Sequence, residues 1–303
     1  MQLSIIIPTK DRGSVFDETL ACAIKAVEHL DAEILVVNDS RERTPSIPDL
    51  SAVRMIDNPG KGVAAARNAG VKATTGNLLL FLDDDIVISR SSIDHVIAVH
   101  QQDSRVCLNP DWRYPPSLVE KIQSTQFGRF MIANRMVSFK GWYNDPTWKD
   151  NALFPSRSVA SFHLSLKREH FERTGGYNEK FPHAGFEDYD FPLRLKEAGL
   201  SFYIDTRITV FHNEADRFNM DNWLGSQERR AGTRKVAVGL GYKELDLDYS
   251  PFKRFAFSLI GAGSGVVRAM MLVTPNHSFF DPLFFRLVSA LQAQRIYRGY
   301  STH

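Results

Sequence analysis

Cysteine is nearly absent from these 303 residues: Cys22 and Cys107 are the only two. One pair cannot build the disulfide framework of a secreted scaffold, so the sequence predicts a reducing compartment. Neither sign of charge is in excess, with 37 Lys and Arg against 35 Asp and Glu and a net charge of +2. That balance excludes nucleic-acid binding through bulk charge. Internal repeats and low-complexity segments are missing too. Long apolar runs are scarce. The opening stretch 3–8 is shorter than a signal-peptide core, and no cleavage pattern follows it. The longest uncharged apolar run, 255–267, meets Arg268 before reaching the ~20 residues a spanning helix needs. A cytoplasmic catalytic domain is expected.

What the chain does have is alternation. Apolar runs at 3–8, 34–37, 53–56 and 78–82 read as buried strands. Between them, 15–30 carries a helical stripe through Phe16, Leu20, Ala23 and Val27, and 62–74 is an Ala-rich helix stopped near Gly76. Residues 41–50, with Pro45 and Pro48, read as a loop. Strands alternating with helices predict an α/β fold with right-handed crossovers. From about 109 to 155 the alternation gives way to a region rich in aromatics and proline, including Trp112, Trp142 and Trp148. These rings either cover the sheet or offer a platform to a ligand with an apolar face.

Chemistry concentrates at strand ends. Asp83, Asp84 and Asp85 follow the run 78–82. Strand alternation predicts Asp83 and Asp85 on one face, where like charges disfavour joint ionisation. A divalent cation resolves that conflict, since Mg²⁺ and Mn²⁺ sites use one or two carboxylates plus substrate phosphates. Open α/β sheets also bind ligands at the carboxyl ends of their strands. The competing reading is an acidic turn before a helix capped by Ser89, Ser91 or Ser92. Lys61 and Arg67 flank the Gly60-Lys61-Gly62 turn and its helix, either facing a phosphate or lying on the surface. A second acidic cluster, Glu187-Asp188-Tyr189-Asp190, follows the turn Gly175-Gly176-Tyr177-Asn178-Glu179. It opens a helix, where Asp190 suits capping and another acid is left for proton transfer. His212 ends the apolar run 208–211 and reads as a metal ligand or a structural imidazole. His163 and His183 are further imidazoles of the same ambiguity.

A dinucleotide fingerprint competes with this picture. Gly60-x-Gly62-x-x-Ala65 opens a helix, and Asp83 lies about 20 residues on, as in NAD-dependent oxidoreductases. Asp57-Asn58-Pro59, however, separates the motif from its strand, and the strand is the third rather than the first.

Taken in order, the residues from Ser4 to about Glu214 resemble family 2 glycosyltransferases of the GT-A fold. The segments are Ile5-Ile6-Ile7-Pro8-Thr9, Val36-Val37-Asn38-Asp39-Ser40, Gly62 to Gly70 with Arg67 and Asn68, Phe81-Leu82-Asp83-Asp84-Asp85, the Gly-Gly-Tyr-Asn-Glu turn, Glu187-Asp188 and His212. The resemblance implies a Rossmann-like mixed sheet flanked by helices, with a C-terminal helical extension. It implies a nucleotide-sugar-binding half at 1–108, an acceptor-binding and catalytic-base half at 109–215, and a helical region at 216–303. Pro8, Thr9 and Asp39 would border the nucleotide base, with Arg67, Asp83 and Asp84 also on the donor side. Asp85 would ligate Mn²⁺ or Mg²⁺ on the diphosphate, joined by His212, and Asp188 would be the catalytic base.

The expected reaction is an inverting, single transfer from a nucleotide-diphosphate sugar, UDP-sugar favoured, to a hydroxyl of a saccharide or lipid-linked acceptor. Cell-surface polysaccharide or glycolipid synthesis would be its setting. Two departures stand out. Asn38-Asp39 replaces a frequent pair of acids, and Gln227-Glu228-Arg229-Arg230 is followed by Ala231, where processive synthases carry Gln-x-x-Arg-Trp. Rival readings are a sugar-phosphate nucleotidyltransferase, for which Pro8 to Gly13 makes a poor loop, and an inactive nucleotide-sugar-binding protein, which Asp85 and Asp188 oppose.

From Pro251 onward the chain is apolar and basic. Asp281-Pro282 predicts an N-cap and first helical residue, and Leu283, Phe284, Leu287, Val288 and Leu291 form a stripe. Lys253, Arg254, Arg268, Arg286, Arg295 and Arg298 stand against Asp281 alone. The prediction is an in-plane amphipathic segment over 251–303 on an anionic membrane, peripheral on its inner face. The alternative is a helix pair packed on protein, in this chain or a homo-oligomer.

Overall fold

Ile5, Ile6 and Ile7 are fully buried, because the first strand lies between two parallel neighbours and is covered on both faces, as continuous apolar runs require. The computed structural model describes residues 2–302. Its strands are β1 (Leu3–Thr9), β2 (Ala32–Asn38), β3 (Val53–Asp57), β4 (Leu78–Leu82), β5 (Ile86–Val87), β6 (Val106–Arg113), β7 (Leu153–Pro155), β8 (His163–Lys167) and β9 (Ser201–His212). Its helices are α1 (Ser14–Val27), α2 (Gly62–Lys72), α3 (Arg90–Gln102), α4 (Pro116–Gln123), α5 (Gln126–Ala133), α6 (Phe139–Tyr143), α7 (Arg168–Arg173), α8 (Glu187–Glu197), α9 (Met220–Gly239), α10 (Pro251–Ala262), α11 (Ser264–Val273) and α12 (Asp281–Ser301).

One sheet runs in the order β3-β2-β1-β4-β8-β6-β9-β5, with β7 on β9. The first four are mutually parallel; β8 is antiparallel to β4 and β6, and β9 is parallel to β6. The expected mixed α/β sheet is therefore present. Its strand ends matter most: β1, β2, β4 and β9 all present their carboxyl ends at one edge, the usual ligand edge of open sheets.

The chain forms two compact units. The first holds the sheet, with the residues through Pro115, Ser138–Pro182 and Glu187–Glu214. On one face Ile6, Leu35, Val37, Leu79 and Phe81 pack against α2, α7 and α8 through Ala66, Phe171 and Phe191. On the other face His100 of α3 hydrogen-bonds Ser165, which pairs with Leu80 across β4 and β8. Ser89 caps α3 in a reciprocal capping box with Ser92, as its sequence predicted.

The second unit combines Pro116–Val137, His183–Phe186 and the residues from Ala215 onward. Phe127, Phe130 and Met131 share a core with Leu224, Phe284, Val288 and Leu291. Helices α9 and α12 approach so closely that a Cβ on Gly299 would lie 2.0 Å from the Glu228 carbonyl oxygen. Glu228 then takes Arg295 at 2.8 Å and Arg298 at 2.5 Å.

Two C-terminal expectations are corrected here. Asp281 does not cap α12; the N-cap is Phe280, and the Asp281 carboxylate instead accepts two 2.7 Å bonds from Arg129. Most of the stripe on α12 faces protein, since Phe284, Val288 and Leu291 are buried in the unit's own core while Leu283 stays exposed. Burying these side chains removes apolar surface from water on protein, and Arg295 and Arg298 of the same helix are already paired with Glu228.

Candidate active site

The triplet after β4 is a turn, not a strand. Pairing stops at Leu82, and the Ile86 amide closes back on the Asp83 carbonyl at 3.2 Å. The alternation predicted for Asp83 and Asp85 therefore fails. Asp84 and Asp85 share the buried guanidinium of Arg12, while Asp83 turns away to Arg67 at 2.9 Å. Thr9 Oγ1 adds a 2.8 Å bond to Asp84. One guanidinium can satisfy two carboxylates at once because its donors form a rigid planar fork.

A two-residue strand brings His212 to Asp85. Ile86 and Val87 pair with His212 and Phe211, and the Asn213 amide donates to the Asp85 carbonyl at 2.7 Å. This hook sets Asp85 Oδ1 3.3 Å from His212 Nε2, with Glu214 Oε1 3.8 Å from the same nitrogen. One ligand atom from each of Asp85, His212 and Glu214 lies within 4.8 Å of the others. Burial opposes a charge on His212, but the Asp85 and Glu214 carboxylates outweigh it and hold its pKa up at about 9. Two carboxylates crowding one imidazole are what a cation would satisfy. A mixed oxygen and imidazole donor set suits Mn²⁺ or a neighbouring transition metal better than the oxygen-rich shell Mg²⁺ prefers. The ring is held by packing: Trp112 meets it edge-on at 5.1 Å, and Tyr114 lies at 6.0 Å while donating to Glu214 at 2.7 Å.

Beside this cluster Arg67 organises carboxylates. It is 2% exposed, and its guanidinium reaches Asp83 at 2.9 Å, Glu187 at 3.3 Å and Asp188 at 3.7 Å. It also lies over the Tyr177 ring at 5.1 Å. Burial raises the Asp83 pKa to about 6 despite Arg67, with Asp85 and Asp188 adding to the rise. Ser161 donates its hydroxyl to Asp188 and is itself 2.6 Å from the Tyr177 hydroxyl. Asp188 thus keeps a fixed orientation while remaining partly exposed, whereas Glu187 is 1% exposed. Asp190 is buried and pairs with Arg194 at 2.5 Å.

On the donor side, Pro8 and Thr9 are buried at the end of β1. Asp39 accepts from Asn58 at 2.6 Å and from the Gly62 amide at 3.0 Å, with Lys10 3.6 Å away. Gly62 has φ +83°, so a residue with a side chain would be strained there. The glycine turn thereby serves a carboxylate of this chain. Lys61 is exposed at the start of α2.

His163 is fully buried with neither ring nitrogen bonded, and burial lowers its pKa to about 4. His183 falls in the second unit. Of the three tryptophans in the aromatic region, Trp112 packs on His212 and Trp148 packs on Phe139 and Phe154. Trp142 stands 47% exposed. Sequence reasoning missed Glu214, Ser161 and the role of Arg12. The i, i+2 spacing of His212 and Glu214 at a strand end was a usable signal; Ser161 and Arg12 carry none.

The glycosyl transferase family 2 model matches residues 4–173, and a model described as the N-terminal domain of galactosyltransferase matches residues 151–220. Validoxylamine A glucosyltransferase of Streptomyces hygroscopicus subsp. jinggangensis is 28% identical over 225 residues, covering 65% of this chain and 52% of that protein. Chondroitin synthase of Pasteurella multocida is 25% identical over 242 residues, 70% of this chain and 25% of that protein. The chain thus aligns with about half or less of these relatives' length. Among solved structures, the mannosyltransferase PcManGT from Pyrobaculum calidifontis, in complex with GDP-Man and Mn²⁺, superposes with a TM-score of 0.56 at 15% identity. That likeness covers 99% of this chain and 88% of the other.

Proposed function

We propose, because this chain belongs to glycosyl transferase family 2, that it moves one sugar from a nucleoside-diphosphate donor to a saccharide hydroxyl, with inversion. The convergence of Asp85, His212 and Glu214 with Asp188, linked through Asp83 and Arg67 at one sheet edge, carries this reading. The relatives named for glucosyl transfer and chondroitin synthesis support a saccharide acceptor, and the Pyrobaculum complex supports Mn²⁺ with a nucleotide sugar.

A divalent ion held by Asp85, His212 and Glu214 supplies a Lewis acid for the charge that develops on the departing diphosphate. The chain's own residues do the rest. Asp39, braced by Asn58 and Gly62, borders the nucleotide base beside Pro8 and Thr9. Arg67 holds Asp83 and Asp188 on one guanidinium, at 2.9 and 3.7 Å. Asp188, oriented by Ser161, takes the proton of the acceptor hydroxyl as its oxygen bonds the anomeric carbon. The anomeric carbon–oxygen bond to phosphate breaks on the opposite face, and its electron pair leaves with the diphosphate. Trp142 offers its exposed ring to the acceptor's apolar face.

Single addition fits the absence of a tryptophan after Arg230 and the engagement of Glu228 with Arg295 and Arg298. A thermal-shift panel of UDP, GDP, other nucleoside diphosphates and NAD⁺, with and without Mn²⁺, tests the reading. At least one nucleoside diphosphate, UDP first, should raise Tm only when Mn²⁺ is present. Metal-independent stabilisation by NAD⁺ alone would overturn it.

A further inference from the structure

Nine of the fourteen large apolar side chains exposed among the described residues fall between Phe252 and Leu283. They are not scattered. Phe252, Phe255 and Leu259 follow helical i, i+3, i+7 spacing on α10 and keep 79%, 68% and 63% of their surface in the open. On α11, Val266 and Val273 are 66% and 80% exposed, and Leu272 is 87% exposed. The other side of the pair is seated on protein: Met271 belongs to the second unit's core, and Gly261 lies against Gln294 of α12. The two helices meet at 61° and together pass as a broken apolar span, although neither does alone.

Charge on this face has one sign. No Asp or Glu occurs from Tyr249 to Phe280, and the exposed Lys253 and Arg254 sit between Phe252 and Phe255. Arg268, by contrast, is taken up by Asp221 at 2.5 Å.

We propose that the outer face of α10 and α11 is a shallow membrane anchor whose occupant is an anionic lipid bilayer. The apolar side chains enter the acyl region of one leaflet while Lys253 and Arg254 meet lipid phosphates. Neither helix crosses alone, since 12 and 10 residues make helices of about 18 and 15 Å at 1.5 Å per residue against a hydrocarbon core of about 30 Å, and the pair as a broken span would need lipid on the side where Met271 and Gly261 are seated on protein. A second copy of the chain is a poorer occupant, because a two-fold contact through this face would set Lys253 and Arg254 against their own copies. The inference stands apart from the donor site, and it narrows the predicted lipid contact from 251–303 to α10 and α11.

Co-sedimentation of the full chain tests it, using phosphatidylcholine vesicles with and without a quarter phosphatidylglycerol, at low and high salt. The chain should pellet with the anionic vesicles and be released as salt rises. Phe255→Ser combined with Leu259→Ser should weaken binding about tenfold or more at unchanged Tm, since both side chains are already exposed. Lys253→Gln with Arg254→Gln should abolish the preference for phosphatidylglycerol, and Leu50→Ser, exposed in the first unit, should change nothing. Should the serine pair misfold, Phe255→Trp should still show blue-shifted emission quenched by brominated acyl chains. Undiminished binding by the serine variants, an unquenched tryptophan, or a vesicle-blind protein whose variants change from dimer to monomer would each overturn the proposal.

Discussion

Asp188 and Glu187 are neighbours with opposite surroundings, so they should fail differently. Glu187 is buried against Arg67, and Glu187→Gln leaves that guanidinium with less compensation, costing about 1–3 kcal/mol of stability. Asp188→Asn keeps shape and the contact with Ser161 but removes the proposed base. Donor affinity should stay within a few-fold while turnover falls by about 10² or more. Melting curves and steady-state kinetics on both variants separate the roles; intact turnover in Asp188→Asn with loss in Glu187→Gln would reverse the assignment. His212 sets a pH dependence. Its pKa, held near 9 by Asp85 and Glu214 against burial, leaves the ring protonated at neutral pH. A metal needs the neutral ring, so binding displaces a proton. Apparent Mn²⁺ affinity should therefore rise about tenfold per pH unit between pH 6 and 8. Calorimetric titration checks this, and His212→Gln should flatten the slope. That Asp85 and His212 belong to one site was legible because both are ligand-type residues at strand ends, and the structure brings them within 3.3 Å. Arg12 was not: nothing local says that it folds back onto two carboxylates more than seventy positions away.

At the scale of elements, motifs that look separate in sequence turn out to brace one another. Asn68 of α2 donates to the Tyr177 carbonyl at 2.9 Å and to Glu179 at 2.8 Å, and it accepts from the Tyr177 amide at 2.9 Å. It thereby fastens the Gly-Gly-Tyr-Asn-Glu turn to α2 and sets Tyr177 under Arg67. Asn68→Ala strands buried polar groups, so stability should drop by about 1–3 kcal/mol. Turnover should fall with it, through Tyr177 and Ser161. Mn²⁺ binding should not change, since Asp85, His212 and Glu214 are held by Arg12, Trp112 and Tyr114. A calorimetric Mn²⁺ affinity that falls in step with Tm would count against this separation. The long strands and α2 were readable because burial on both faces writes an unbroken apolar run. The two-residue β5 was not. Two residues carry no period, and without β5 the triplet looked like a strand extension instead of a turn hooked onto β9.

At the scale of the whole molecule, the second unit is assembled from pieces that sequence order separates. Residues 109–215 read as one stretch because its aromatics carry no periodicity that assigns them to a partner. In the structure α4 and α5 instead join the residues from Ala215 onward. Phe127, Phe130 and Met131 are 9%, 1% and 5% exposed, and they are covered by Leu224 of α9 and by Phe284, Val288 and Leu291 of α12. A chain ending at Glu214 would keep α5, with α4, Met136 and Val137 beside it, and lose the α9 and α12 side chains that cover it. Exposing a large buried aromatic forfeits about 1.5–3 kcal/mol of transfer free energy, and a contiguous bare patch of this kind promotes aggregation. The shortened protein should therefore aggregate or melt well below the full chain. Replacing Phe127 and Phe130 by Ser in the shortened chain should restore part of its solubility, because the liability lies on α5 and not at the cut end. Size-exclusion chromatography and thermal melts of the three proteins decide it. A shortened chain as soluble and stable as the parent would mean that α4 and α5 fold without the C-terminal helices, and that the region beyond Ala215 is an independent attachment.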